Sequence, residues 1–196
     1  MEKRATLTVK IFDPETKAAR AAQKAVLEEI YLVDAKTWRD PLVSSPEVLA
    51  LEHKFAREIL FPEEYEYNLG LHFILCKFRV AAFNDKSPNK PVMKIEATFY
   101  TSFSEANDPD VPTVDLDSPV DENSAYSTYM RFIYTVNPIS AAWPYWREFV
   151  QNMSTRMGYP ALTVPMLEIV FKNEPEKKAK NHVTKKDSLQ RKKTSA

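Results

Sequence analysis

Glycine is almost missing from this chain: Gly70 and Gly158 are the two glycines among 196 residues. Phosphate-cradling loops of the P-loop or dinucleotide type need several closely spaced glycines, so nucleotide binding through those motifs is excluded. Cysteine is scarcer still. Cys76 stands alone, which forbids an internal disulfide and suits a reducing cytosol. No apolar run approaches the ~18 residues of a membrane span. The start, Met1-Glu-Lys-Arg, lacks the apolar block of a secretory signal, so a cytoplasmic location without membrane insertion is expected. His53, His72 and His182 have no cysteine or carboxylate at ligand spacing. No metal site or other cofactor is expected.

Net charge is also zero, but it hides a division. Residues 172–196 carry nine Lys and Arg against three acids, or +6; the first 171 residues carry 18 against 24, or −6. The tail has no aromatic residue to stack a base, so specific nucleic-acid binding is not expected and a disordered, solubilising tail is. Residues 105–122 hold seven acids, three prolines and no basic residue. They read as a long solvated loop, or as a docking patch for a basic partner. Paired acids such as Glu63-Glu64 and Asp115/Asp117 lie in polar surroundings that would not raise a carboxyl for acid–base work. Cys76 falls inside an apolar alternation and reads as a small core residue. No catalytic constellation emerges, and the chain is not read as an enzyme.

What is present is a succession of strands followed by helices. Residues 6–12 alternate like a short strand, and Asp13-Pro14 opens an alanine-rich helical stretch to about residue 25. Strand-like segments follow at 26–38, 47–55, 65–83 and 93–103. The last is the cleanest, with Met93, Ile95, Ala97, Phe99 and Phe103 in one phase and Lys94, Glu96, Thr98, Tyr100 and Ser102 in the other. A helical stretch at 125–135 leads to a second helix that Pro144 is suited to start. Its apolar stripe is Ala142, Trp146, Phe149, Val150, Met153 and Met157, with Gly158 as stop and Pro160 beyond it. Residues 162–171 are apolar enough for a final strand or short helix. Strands first and helices last predict an α+β fold, an antiparallel sheet with one buried face.

The run Asn137-Pro-Ile-Ser-Ala-Ala-Trp-Pro-Tyr-Trp-Arg-Glu148, continued by Ser154-Thr-Arg-Met-Gly-Tyr-Pro160, resembles the signature helix of the SecB chaperone family. That family reads roughly Pro-Asn-x-Leu-Phe-Pro-Tyr-x-Arg-Glu, then Ser-Arg-Gly-x-Pro. Glu29-Ile-Tyr31 with Asp34 resembles its first strand, and Pro46-Glu-Val48 the start of its second. Trp143-Pro-Tyr-Trp-Arg-Glu148 and Tyr159 to Val170 are especially similar to the branch that serves toxin–antitoxin modules. The resemblance spans about residues 27–171. It leaves residues 1–25 as an N-terminal extension, 105–122 as an insertion and 172–196 as a tail.

The resemblance implies a four-stranded antiparallel sheet followed by a long helix packed on one side. It also implies a homotetramer, a dimer of dimers, that holds unfolded clients in apolar grooves without ATP. The implied client-binding residues are Tyr31, Trp38, Val48, Leu51, Phe55, Trp146, Met153 and Met157; the implied oligomer contacts are Trp143, Tyr145 and Phe149. For Trp143, Tyr145, Trp146 and Phe149 the plainer reading is packing between helix and sheet or between subunits, while Tyr31, Trp38 and Phe55 are open to either role. Export-type members dock the SecA motor on sheet-face acids, one of which falls on Asp34 while the next falls on Trp38. The expected role is therefore a holdase dedicated to an antitoxin. General preprotein export with SecA is the alternative, and an adaptor reusing the fold a further one.

Overall fold

A computed structural model describes residues 5–11, 15–42, 50–60, 70–83, 89–112 and 124–173. The elements are β1 (Ala5–Ile11), α1 (Lys17–Gln23), β2 (Val26–Arg39), β3 (Ala50–Leu60), β4 (Leu71–Phe83), β5 (Met93–Ser104), α2 (Ala125–Arg131), α3 (Asn137–Arg156) and β6 (Leu167–Asn173). A π-helical segment, Phe132–Val136, joins α2 to α3. Residues 113–123 of the acidic stretch and the tail beyond 173 lie outside the described residues.

Alternation builds the main sheet. In β4, His72, Ile74, Cys76, Phe78, Val80 and Ala82 are buried, and in β5 Met93, Ile95, Ala97, Phe99, Thr101 and Phe103 are buried. These two sets are cross-strand partners, from His72 opposite Phe103 to Ala82 opposite Met93. One face of the pair is therefore continuous core. The sheet order is β2-β5-β4-β3, every pairing antiparallel. The α+β architecture expected from the sequence is the one observed, a four-stranded antiparallel sheet with a long helix on one side.

The long helix differs from expectation in where it begins. Pro144 does not start it; α3 starts at Asn137, with Pro138 in its first turn and Pro144 inside. Pro138 stands in the first turn of α3, where the π segment gives way to the α-helix and the change of pitch accommodates its missing N–H. Upstream the wider π turn ends where Pro138 cannot donate to the Tyr134 carbonyl. Pro144 is tolerated because it and Ser140, whose carbonyl loses its donor, are both on the exposed side. The stop is as read: Gly158 adopts φ +79°, and the Tyr159 N–H donates back to the Ser154 carbonyl at 3.0 Å.

The face of α3 toward the sheet is aromatic. Phe78 of β4 stacks on Trp146 with ring centroids 5.5 Å apart and meets Trp143 edge-on at 5.7 Å, and Phe99 of β5 meets Phe149 at 6.5 Å. Offset and edge-to-face contacts of this kind add ~0.5–1.5 kcal/mol each beyond area burial.

Helix α1 belongs to the same core. Thr16 caps α1 by accepting from the Ala19 N–H at 3.2 Å, and Ala18, Ala19, Ala21 and Ala22 are all buried. Small side chains let α1 lie close to α2 and the π segment, where the Asn137 amide donates to the Ala22 carbonyl at 2.7 Å. β1 pairs parallel with β6, from Ala5 opposite Leu167 to Ile11 opposite Asn173, in a separate two-stranded sheet. The segment 162–171 is thus a strand in its second half, and Phe171 anchors it by stacking on Phe132 at 5.4 Å.

Candidate functional site

Strand β2 lies at a sheet edge, and among the described residues almost nothing covers it. Its side chains are exposed along its length, Ile30 alone being half-buried. Val26, Leu27, Tyr31, Leu32, Val33 and Trp38 are large apolar groups left at the surface. Two register shifts, at Leu27/Glu29 and Leu32/Asp34, break its ladder with β5 and bend the edge. Bulges of that kind blunt an edge against uncontrolled pairing, while a run of exposed apolar side chains marks a contact surface.

Register sorts these residues onto two faces. Tyr31 pairs with Tyr100, Asp34 with Thr98 and Trp38 with Lys94, all on the face away from α3. Tyr31 stacks on Tyr100 at 4.7 Å, and Tyr100 on Phe73 of β4 at 6.1 Å. The result is an aromatic row across three strands of the open face. Tyr31 is 52% and Trp38 41% exposed. Lys94 lies over the Trp38 ring at 5.8 Å, which holds the indole by a cation–π contact without covering it. Asp34 pairs with Lys36 at 3.8 Å, and Arg79 with Glu96 at 3.4 Å. The open face is thus aromatic at one end and mixed in charge at the other.

Leu27, Ile30 and Leu32 share the helix side with Phe103, Thr101 and Phe99. Phe149 of α3 reaches Phe99, the partner of Leu32. Half-buried Met153 and Met157 follow it down the helix. At the far end Arg39 ties α3 to β2, donating to the Met157 carbonyl at 2.6 Å and lying over the Tyr159 ring at 5.3 Å. Met153 and Met157 are themselves packed against the core.

The expected site residues separate into groups. Tyr31, Trp38 and Asp34 are together on the open face, and Phe149, Met153 and Met157 are together along α3. Trp146 is corrected: it is 1% exposed, clamped between Phe78 and Phe149, and offers a client no surface. Trp143 is 4% exposed and donates from Nε1 to the Pro165 carbonyl at 3.0 Å, so its bulk is spent on packing within the chain. Tyr145 is exposed. Leu51 and Phe55 occupy register positions opposite Ala82 and Phe78 in β3, the other outer strand. Three strand spacings, about 14 Å, separate them from β2. Val48 lies outside the described residues. Val26, Leu32, Val33, Phe73 and Tyr100 belong to the surface but were missed. The one signal for them was Tyr100, an aromatic ring in the polar phase of an alternating strand.

A second polar cluster sits where α2 and the π segment meet the sheet. His72 Nδ1 is 2.8 Å from the Tyr134 hydroxyl and Nε2 is 3.0 Å from Glu105. A carboxylate only accepts, so in the neutral ring Nε2–H donates to Glu105 and Nδ1 accepts from Tyr134. Burial pushes the His72 pKa below its ordinary value, against the pull of Glu105. Burial and the Glu105 charge push the Tyr129 hydroxyl up. Both shifts favour neutral forms, which suits a structural knot rather than proton transfer at neutral pH. Cys76 is buried. Among the described residues no three potential metal ligands gather and no helix is long and apolar enough to cross a membrane.

This chain matches the SecB-like chaperone Rv1957 of Mycobacterium tuberculosis, solved in complex with a ChAD peptide from the HigA1 antitoxin. The match has a TM-score of 0.54 and 16% identity, over 78% of this chain and 94% of the mycobacterial one. The fold is SecB-like. A Streptococcus agalactiae protein of unknown function aligns over 73% of this chain and 98% of its own, at TM-score 0.37 and 7% identity. No family model and no curated protein matches the sequence. On the SecB-like fold, β2 carries six of the large apolar side chains left exposed among the described residues, beside the aromatic row of the open face.

Proposed function

We propose that this chain is an ATP-independent holdase that binds extended, unfolded polypeptide along β2, with an antitoxin as its dedicated client. The observation that carries the reading is the uncovered apolar strand β2, with Tyr31 and Trp38 exposed beside Tyr100 and Phe73. Each apolar client side chain buried there contributes ~1.5–3 kcal/mol, and several in succession sum to useful affinity without sequence readout. Half-buried Met153 and Met157 add side chains that adapt to different partners. The toxin–antitoxin assignment is supported by the antitoxin peptide bound to the mycobacterial protein and by the signature at 143–170.

Docking of SecA receives less support. Asp34 is offset by Lys36, and Trp38 stands where a second acid is expected. Assembly into a dimer of dimers in the cytoplasm is part of the proposal, because it would cover part of an apolar edge that the single chain leaves bare. Purification from the native host with identification of bound proteins tests the specific role. One stoichiometric small partner supports the antitoxin reading; a broad set of signal-bearing precursors replaces it with general export. A chain that binds neither, and does not slow aggregation, would be an adaptor.

A further inference from the structure

We propose that the open face of the main sheet selects its client by charge as well as by apolarity, taking an extended segment with a large apolar side chain and, six residues along it, an acidic one. The inference rests on the holdase reading and deepens it. Apolar burial supplies the affinity, and the lysines of the face decide which segment is seated.

The rungs of the sheet sort its charge. At the start of β2, Glu29 and Phe73 lie on either side of Ser102, and the bulged Glu28 accepts from the Ser104 hydroxyl. On the next rung Tyr31 and Leu75 flank Tyr100. Beyond them come Asp34 and Lys77 about Thr98, then Lys36 and Arg79 about Glu96, then Trp38 and Ala81 about Lys94. The end before the aromatic row thus holds two acids, while the stretch after it holds four cations against two acids, or +2. From β3, Lys54 and Glu52 take register positions opposite Arg79 and Ala81, and their charges cancel; Glu58 stands opposite Leu75. The face is therefore apolar in one band and positive beyond it.

Two of those cations are offset locally, Lys36 by Asp34 at 3.8 Å and Arg79 by Glu96 at 3.4 Å. All four of these side chains are more than a third exposed, so the pairs are weak and open to exchange. Lys94 is placed differently. Among the described residues it meets no carboxylate, and it lies over the Trp38 ring at 5.8 Å. A client carboxylate can pair with Lys94 while the client chain covers the indole.

Spacing follows from the strand. Tyr100 and Lys94 are six residues apart on β5, ~20 Å in extended chain. Side chains of an extended client alternate between its two sides, so positions an even number apart meet the same face. An acid six residues from an apolar anchor reaches Lys94 when the anchor meets the aromatic row; at five residues it points away. Bases suit this face less well. Tyr31 and Tyr100 stack at 4.7 Å with planes 24° apart, about one strand spacing. The two rings fill each other's facing surfaces, and no succession of free faces is left for nucleotides.

The test uses the full-length chain and labelled peptides of Ser and Thr that carry Phe-Thr-Phe and, six residues from the nearer Phe, one Asp. Both orders along the peptide are made, and the tighter one is carried forward. Peptide anisotropy is expected to show the parent binding this peptide at least about threefold more tightly than the same peptide with Lys for Asp, or with Asp five residues away. High salt is expected to narrow the difference. Lys36→Glu combined with Lys94→Glu is expected to reverse the preference toward the Lys peptide. Equal affinity of the parent for Asp and Lys peptides, equal affinity at five and six residues, or an unmoved preference in the reversed chain overturns the inference. Displacement of the bound peptide by a short oligothymidylate overturns it in favour of single-stranded nucleic acid. Aggregation of a denatured protein, followed with the parent, separates the two claims. If the parent arrests aggregation but binds the peptides without regard to charge, or not at all, the charge inference fails and the holdase reading stands. If the parent neither arrests aggregation nor binds any peptide, both fail.

Discussion

At the scale of single residues, burial divides aromatic side chains that look alike in sequence. Trp38 and Trp146 each sit in an apolar pattern, yet one is open and the other sealed. Trp146→Ala empties a site between Phe78 and Phe149 and is expected to cost ~3–5 kcal/mol, seen as a large fall in thermal midpoint. Trp38→Ala is expected to leave the midpoint within a degree or two and to weaken client peptide binding, read by titration of the same samples. An equal stability loss in both would contradict the assignment. His72 sets a pH dependence. Its folded pKa lies below the unfolded value near 6.5, so the unfolded chain binds the extra proton first. Stability should therefore decline as pH falls below about 6.5 and stop declining once pH passes the lowered folded value. A midpoint-against-pH curve measures this, and His72→Gln is expected to flatten that interval. A wild-type curve flat from pH 7 to 5 would contradict it.

At the scale of elements, the sequence was legible wherever one face is wet and the other dry. β4 and β5 alternate through their whole length, and the phase read for Met93 to Phe103 is the phase that is buried. β2 was read as a strand, but its exposure was not legible, because an edge position depends on which strands pair and not on composition. Leu51 and Phe55 were grouped with Tyr31 and Trp38 for the same reason: strand order places them on opposite outer strands. The start of α3 was misjudged because two prolines offer the same cue, and the change from π to α pitch falls at Pro138 upstream. Its end was plain, since only glycine accepts φ +79° without strain. An added Cβ at Gly158 would also stand 3.0 Å from Arg39 Nη1, the group that ties α3 to β2. Gly158→Ala is expected to destabilise by roughly 1–2 kcal/mol, measured by denaturant titration; an unchanged midpoint would show that the tie is dispensable.

At the scale of the whole molecule, the longest-range relation was the least legible. β1 and β6 pair across 162 residues, and no local pattern announces a parallel partner so far away. The four alanines of α1 gave a helix but not its burial against α2, and the acidic loop gave a charge but not its partners Lys17 and Lys24 on and beside α1. The exposed β2 edge points outward to assembly. Sedimentation at micromolar concentration is expected to show a tetramer, with a dimer on dilution; a chain monomeric throughout would leave β2 uncovered and would contradict the assembly. The most direct test of the holdase account is aggregation of a chemically denatured protein diluted into a stoichiometric amount of this chain without ATP. The account predicts that aggregation is arrested by the parent and resumes with Tyr31→Ser and Trp38→Ser combined, at unchanged thermal midpoint. Aggregation that proceeds equally with and without the parent chain would contradict it.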